Sequence, residues 1–171
     1  MTTFDLGRVK LRPGEQLRDE IEVQLEPLLL GGQEYLPVPA AVPAELTITK
    51  ASSGSVFELS FRVRLHGPCF RCLADAALEL PIGAREYQAA KPDADEELRS
   101  PYVVDHALDL SAWARDALAL ELPDKILCRA DCAGLCPVCG KDLNLEPHTH
   151  EEVHSDPRWA ALEALRDTGG K

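Results

Sequence analysis

Phe57-Glu58-Leu59-Ser60-Phe61-Arg62-Val63-Arg64-Leu65-His66 alternates apolar and polar residues at every step. A period of two places Phe57, Leu59, Phe61, Val63 and Leu65 on one face and the polar residues on the other, which predicts a half-buried strand. Upstream, Leu46 and Ile48 alternate with Thr47 and Thr49, and the turn Ala51-Ser52-Ser53-Gly54 joins the two runs as a hairpin. Downstream, Gly67-Pro68-Cys69-Phe70-Arg71-Cys72 interrupts the pattern. A third strand then runs from about Ala77 to Tyr87, with Leu78, Leu80, Ile82 and Ala84 on one face. Pro81 withholds a ladder donor and marks that strand as an edge. A turn carrying two cysteines therefore joins two antiparallel strands.

Farther out the signals weaken. Residues 1–45 are poorly patterned apart from the short alternating run Ile21-Glu22-Val23-Gln24-Leu25, and Pro37-Val38-Pro39-Ala40-Ala41-Val42-Pro43 reads as a connector. Residues 89–100, with Asp93, Asp95, Glu96 and Glu97, read as a solvated acidic loop. Tyr102-Val103-Val104 is a short strand candidate. Asp109 is a good N-cap for a helix near 110–121, where Leu110, Trp113, Ala114, Ala117, Leu118 and Leu122 fall at helical spacing and Trp113 reads as core; Pro123 ends it. Residues 124–155 are rich in Cys, Gly, Pro and His without periodicity, and Asp156-Pro157-Arg158-Trp159 opens a terminal helix to about Asp167. The fold class expected is α+β: an antiparallel, barrel-like sheet with a zinc-bound Cys-rich segment and one or two helices. Residues 1–122 form a β-rich domain, and 123–171 a Cys/His-rich zinc segment with a C-terminal helix packed on it.

The six cysteines, Cys69, Cys72, Cys128, Cys132, Cys136 and Cys139, carry the chemistry. A C-x2-C pair supplies two thiolates from one tight turn, and tetrahedral zinc commonly takes two such pairs from separate stretches. The alternatives are a disulfide framework and a redox pair. Met1-Thr2-Thr3-Phe4-Asp5 has neither a basic start nor an apolar segment, so a reducing cytoplasmic location is expected and disulfides are disfavoured. A redox pair needs its first cysteine at a helix N-terminus, whereas Cys69 lies between strands.

Acidic residues outnumber basic ones 29 to 18, a net charge of −11. Such a chain lacks the long-range attraction to phosphate that supplies most non-specific nucleic-acid affinity, so any RNA contact is local or made through a protein partner. Arg62, Arg64 and His66 share one side of their strand and, with Arg71, form a small basic group that could meet phosphate or simply be a solvated face.

Taken together, GPCFRCL, the later CRADCAGLCPVCGKDLN and the closing DPRWAALEAL resemble, in the same order, the YceD-like proteins associated with accumulation of large-subunit ribosomal RNA. The resemblance implies a bacterial cytoplasmic factor of ribosome biogenesis with no established catalytic reaction. Its partners would be pre-ribosomal large-subunit particles, reached through ribosomal protein or RNA, with no membrane role.

Cys128 and Cys132, at i and i+4, can complete a site begun by Cys69 and Cys72 if their segment turns helically. The resemblance points the same way, because some members carry histidines at these two positions and lack the second knuckle. It also implies that Cys136 and Cys139 take His148 and His150 as partners, where longer members carry C-x-C. A competing partition joins Cys69 and Cys72 to Cys136 and Cys139 and leaves Cys128 and Cys132 spare. His154 could replace either histidine, and His66 and His106 are isolated. One or two Zn²⁺ ions are expected. The function expected is a non-catalytic zinc-binding factor; the alternatives are a metal-dependent RNA-processing enzyme and a redox-sensitive zinc switch. Against an enzyme, there is no HExxH, no Gly-rich phosphate loop and no obvious carboxylate pair.

Overall fold

The computed structural model describes residues 1–91 and 95–150. The chain divides into two compact units, Met1–Cys132 and Ala133–Lys171. In the first unit the order is β1 (Thr3–Asp5), β2 (Gln16–Gln24), β3 (Leu28–Leu30), β4 (Gln33–Pro37), β5 (Ala41–Lys50), β6 (Gly54–Pro68), β7 (Asp75–Ala89), β8 (Val103–Val104), β9 (Ala107–Asp109) and α1 (Leu110–Glu121), with 3-10 turns at Leu6–Arg8 and Glu96–Leu98.

The alternating run Phe57–His66 lies in β6, the organising strand. β7 pairs with β6 along its whole length, Gly54 opposite Ala89 through Pro68 opposite Asp75. The other edge of β6 is shared: Ser55–Phe61 pair with β5, while Leu65 and His66 pair with the end of β4. β2 extends the sheet beyond β5, and β3 beyond β4. The predicted faces hold. Phe57, Leu59, Phe61, Val63 and Leu65 are buried together with Leu46, Ile48 and Ile82, whereas Ser60, Arg62 and Arg64 are exposed.

The sheet does not close into a barrel, contrary to the expectation from the hairpin pattern. Among the described residues β2 pairs only with β5 and β7 only with β6. Both edges are poor templates for each other: Pro81 in β7 lacks a donor, and Arg18, Asp19, Glu20 and Glu22 of β2 are exposed charges. Helix α1 packs against both edge strands and buries Leu110, Trp113, Ala114, Ala117 and Leu118. The Asp109 carboxylate caps it by accepting from the Ala112 amide at 3.0 Å. Leu122, ahead of Pro123, is already extended.

The proline-rich connector is shorter than the sequence suggests. Pro37 ends β4 and Ala41 begins β5, so only residues 38–40 connect them. Pro43 lies inside β5 opposite Glu22, and pairing with β6 begins only at Ala44, so Pro43 has no ladder bond to lose on that side. β1, β9 and β8 form a separate three-stranded sheet. Its β8–β9 turn places Asp105 at φ 48° and His106 at φ 62°, the positive values that a two-residue hairpin turn of this kind requires. The expected terminal helix, His154 and the centre of the acidic loop lie outside the described residues. No helix among the described residues is long and apolar enough to cross a membrane.

Candidate metal centres

β6 delivers Cys69 to the first cluster. Gly67 is needed on the way, because a Cβ there would sit 2.4 Å from the Tyr35 ring and 2.8 Å from the Glu34 carbonyl. The Tyr35 side chain, 1% exposed, closes over Gly67, and its hydroxyl donates to the Pro68 carbonyl at 2.8 Å. The chain then turns sharply. The Cys69 amide donates to the Ala74 carbonyl at 2.7 Å and the Leu73 amide to the Cys69 carbonyl at 3.0 Å, with Leu73 at φ 63°. Residues 126–132 are tied to this turn from the other side: the Phe70 amide donates to the Ile126 carbonyl at 2.8 Å, and an Arg71 guanidinium nitrogen to the Cys132 carbonyl at 2.7 Å.

These ties bring the Sγ atoms of Cys69, Cys72, Cys128 and Cys132 within 4.8 Å of one another. Cys69 and Cys132 are 3.8 Å apart and Cys72 and Cys128 are 3.6 Å apart. Zinc–thiolate bonds of about 2.3 Å in a tetrahedron require sulfurs about 3.8 Å apart, so the donor set fits that ion. No cysteine is in a disulfide. Four sulfurs this close cannot all hold negative charge without a cation. Burial disfavours the Cys69 thiolate, yet backbone amides of Cys72, Cys128 and Arg71 bring it down to about 6. Burial and the neighbouring sulfurs push Cys128 up to about 12, and Cys72 is also raised.

In the second unit one sulfur or ring nitrogen from each of Cys136, Cys139, His148 and His150 lies within 4.8 Å of the others. An isolated bridge between Leu135 and Asp142 closes the loop that holds the cysteine pair. The Cys136 amide donates to the Lys141 carbonyl and the Gly140 amide to the Cys136 carbonyl, both at 2.8 Å. His148 Nδ1 lies 2.7 Å from the Glu146 carbonyl. Donation there leaves Nε2, 3.1 Å from Cys139 Sγ, to face the cluster, the orientation that a ligating histidine needs. Backbone amides of Cys139 and Val138 draw the Cys136 thiol down to about 6 against the opposing effect of burial. His148 is raised by the Glu146 carbonyl and by Cys136. Asn144 fastens the loop: its Oδ1 accepts from the Ala133 amide at 2.8 Å, and its Nδ2 donates to Asp142.

The eight residues fall into two groups of four, Cys69, Cys72, Cys128 and Cys132 in one and Cys136, Cys139, His148 and His150 in the other. His66 and His106 join neither set. The basic strand group is dispersed: Arg64 lies 3.8 Å from Glu79, and Arg71 holds the Cys132 carbonyl. Sequence reasoning missed Tyr35, Arg71 and Asn144 as supports. Gly67, directly before Pro68-Cys69, was the one available signal, since a glycine inside a strand marks a close approach.

The family model described as large ribosomal RNA subunit accumulation protein YceD matches residues 57–166. An uncharacterized protein of Mycobacterium tuberculosis is 34% identical over 169 residues, covering 94% of this chain and 79% of the relative. One from Mycobacterium leprae is 37% identical over 167 residues, covering 93% and 75%. The uncharacterized protein YlbN of Bacillus subtilis is 29% identical over 114 residues, covering 63% and 66%. No solved structure matches the chain. The matched stretch spans the central hairpin strand and both cysteine clusters, and the chain belongs to the YceD family.

Proposed function

We propose that this chain is a non-catalytic zinc-binding factor of ribosome biogenesis, needed for large-subunit ribosomal RNA to accumulate. The family match over residues 57–166 carries the process. The two donor sets support the rest. Cys69, Cys72, Cys128 and Cys132 would hold one zinc, and Cys136, Cys139, His148 and His150 the other. Four protein donors per ion fill a tetrahedral shell, whereas a catalytic zinc keeps one position for water. Bound zinc would fix each turn as a rigid element, and its binding free energy would be folding free energy. The protein would act by holding a surface against a large-subunit precursor, with no bond made or broken.

Deleting the gene and measuring the ratio of large- to small-subunit ribosomal RNA tests this reading. A lowered ratio, restored by the intact chain, is expected; an unchanged ratio would sink it.

A further inference from the structure

A basic concavity in the first unit shares no residue with either cysteine cluster. A cavity of about 740 Å³ opens in the first unit, lined by the 3-10 turn at the N-terminus, the ends of β5, β6 and β7, and the β8–β9 turn. Its charges invert the balance of the chain. Among the described residues that line it, Lys10, Lys50, Lys91 and Arg99 stand beside one acid, Asp105, in a protein with 29 acidic and 18 basic residues. Glu96 lines an adjoining concavity that shares Gln88, Arg99 and Val103 with it. The apolar part of its lining is Leu6, Val9, Leu11, Ile48, Phe57 and Val103, and His106 lines it too.

We propose that this cavity binds a nucleotide of single-stranded RNA, its base against the apolar lining and His106, its phosphates among Lys10, Lys50 and Lys91. The size suits a small planar ligand. Lysines set around a concavity act as point charges for phosphate, and low-dielectric walls strengthen their field. Histidine is among the side chains on which unpaired bases stack. The combination answers the problem set by the net charge, since a chain repelled by RNA at long range can still hold one nucleotide locally. An acidic peptide would use the cations and leave the apolar lining unfilled. The inference rests on the reading that the chain works on ribosomal RNA.

The test is fluorescence anisotropy of a labelled twelve-residue oligouridylate on the full zinc-loaded chain, with uridine monophosphate as a second probe. Lys10 and Lys91 are exposed, so Lys10→Glu with Lys91→Glu leaves the core intact. Arg62→Glu with Arg64→Glu changes net charge equally on the polar face of β6. The first pair should weaken oligonucleotide binding at least about tenfold and lower the salt slope by about 1.4, the second by no more than about threefold. Lys10→Ala with Lys91→Ala should show a smaller loss in the same direction, and serves if the charge reversal disturbs folding. Equal losses from both Glu pairs, or no binding by the unaltered chain, would overturn the proposal. Uridine monophosphate binding as tightly as the oligonucleotide would overturn its single-strand part. A chain that fails to bind the oligonucleotide but restores large-subunit RNA in the deletion strain overturns this inference alone and leaves the proposed function standing.

Discussion

Leu73 and Gly140 occupy the same position in two separate turns. Each follows the second cysteine of a C-x2-C pair, each has positive φ (63° and 73°), and each amide donates to the carbonyl of the first cysteine, at 3.0 and 2.8 Å. The bond that closes each turn is shared too, from Cys69 to Ala74 and from Cys136 to Lys141. Glycine adopts this conformation freely, whereas leucine is strained there by about 1–2 kcal/mol. Leu73 is 57% exposed, so little packing offsets that strain. Leu73→Gly should therefore be neutral or stabilising by up to about 1 kcal/mol, while Gly140→Ala should loosen its turn by about 1 kcal/mol. Denaturant midpoints of the first variant and zinc dissociation rates of the second provide the readings. A Leu73→Gly chain that loses zinc would show that the leucine side chain has a role at the cluster.

The two donor sets predict two zinc ions per chain and damage confined by site. Cys69→Ser should strip hydrogen-exchange protection from the turn and from residues 126–132. Cys136→Ser should affect residues 133–150 and leave β5, β6 and β7 protected. Loss over one common region in both variants would contradict two independent sites.

Gly67→Ala forces a methyl group into the Tyr35 ring and the Glu34 carbonyl, at a cost of about 1–3 kcal/mol. Tyr35→Phe should cost less, about 1 kcal/mol, from the lost bond to the Pro68 carbonyl. Because both residues hold the strand that delivers Cys69, zinc affinity at the first cluster should fall with stability, measurable by chelator competition. Unchanged affinity in a destabilised Gly67→Ala chain would separate the two.

Tyr102 predicts a pH dependence. Burial, with the hydrogen bond to Asp116, pushes its phenol up to about 12, whereas an unfolded tyrosine ionises near pH 10. Between those values the folded chain keeps a proton that the unfolded chain has lost, so this stability is complete below about pH 10 and disappears as pH rises through about 12. The unaltered chain should weaken more steeply over that window than Tyr102→Phe in urea melts. Parallel curves would mean that Tyr102 titrates normally.

What the sequence revealed follows from which signals are local. The β6 alternation, the Asp109 cap and the helical stripe around Trp113 each state a burial pattern within one segment, and each appears in place. β2 was seen only as a short run because most of its residues are exposed, Val23 alone being buried; its nine-residue pairing with β5 is a long-range fact. Pro43 was misread as connector because its tolerance depends on where a neighbouring ladder begins. Openness of the sheet depends on two edges far apart in sequence. For the clusters, residue type and spacing named the ligands, but the Arg71 bond to Cys132 links positions 61 apart and leaves no trace in either segment.

The separation of donors along the chain also sets a timetable for synthesis. Cys69 and Cys132 lie 63 residues apart, whereas Cys139 and His148 lie 9 apart. On loop length alone, closing the longer span costs about 1.7 kcal/mol more. The first knuckle must wait, two thiols ready, until the helix and everything else between has been made. The second, if it takes an ion, could close within moments of its last histidine appearing. If both groups bind zinc as proposed, the long-range one is the centre exposed to delay in a cell short of it.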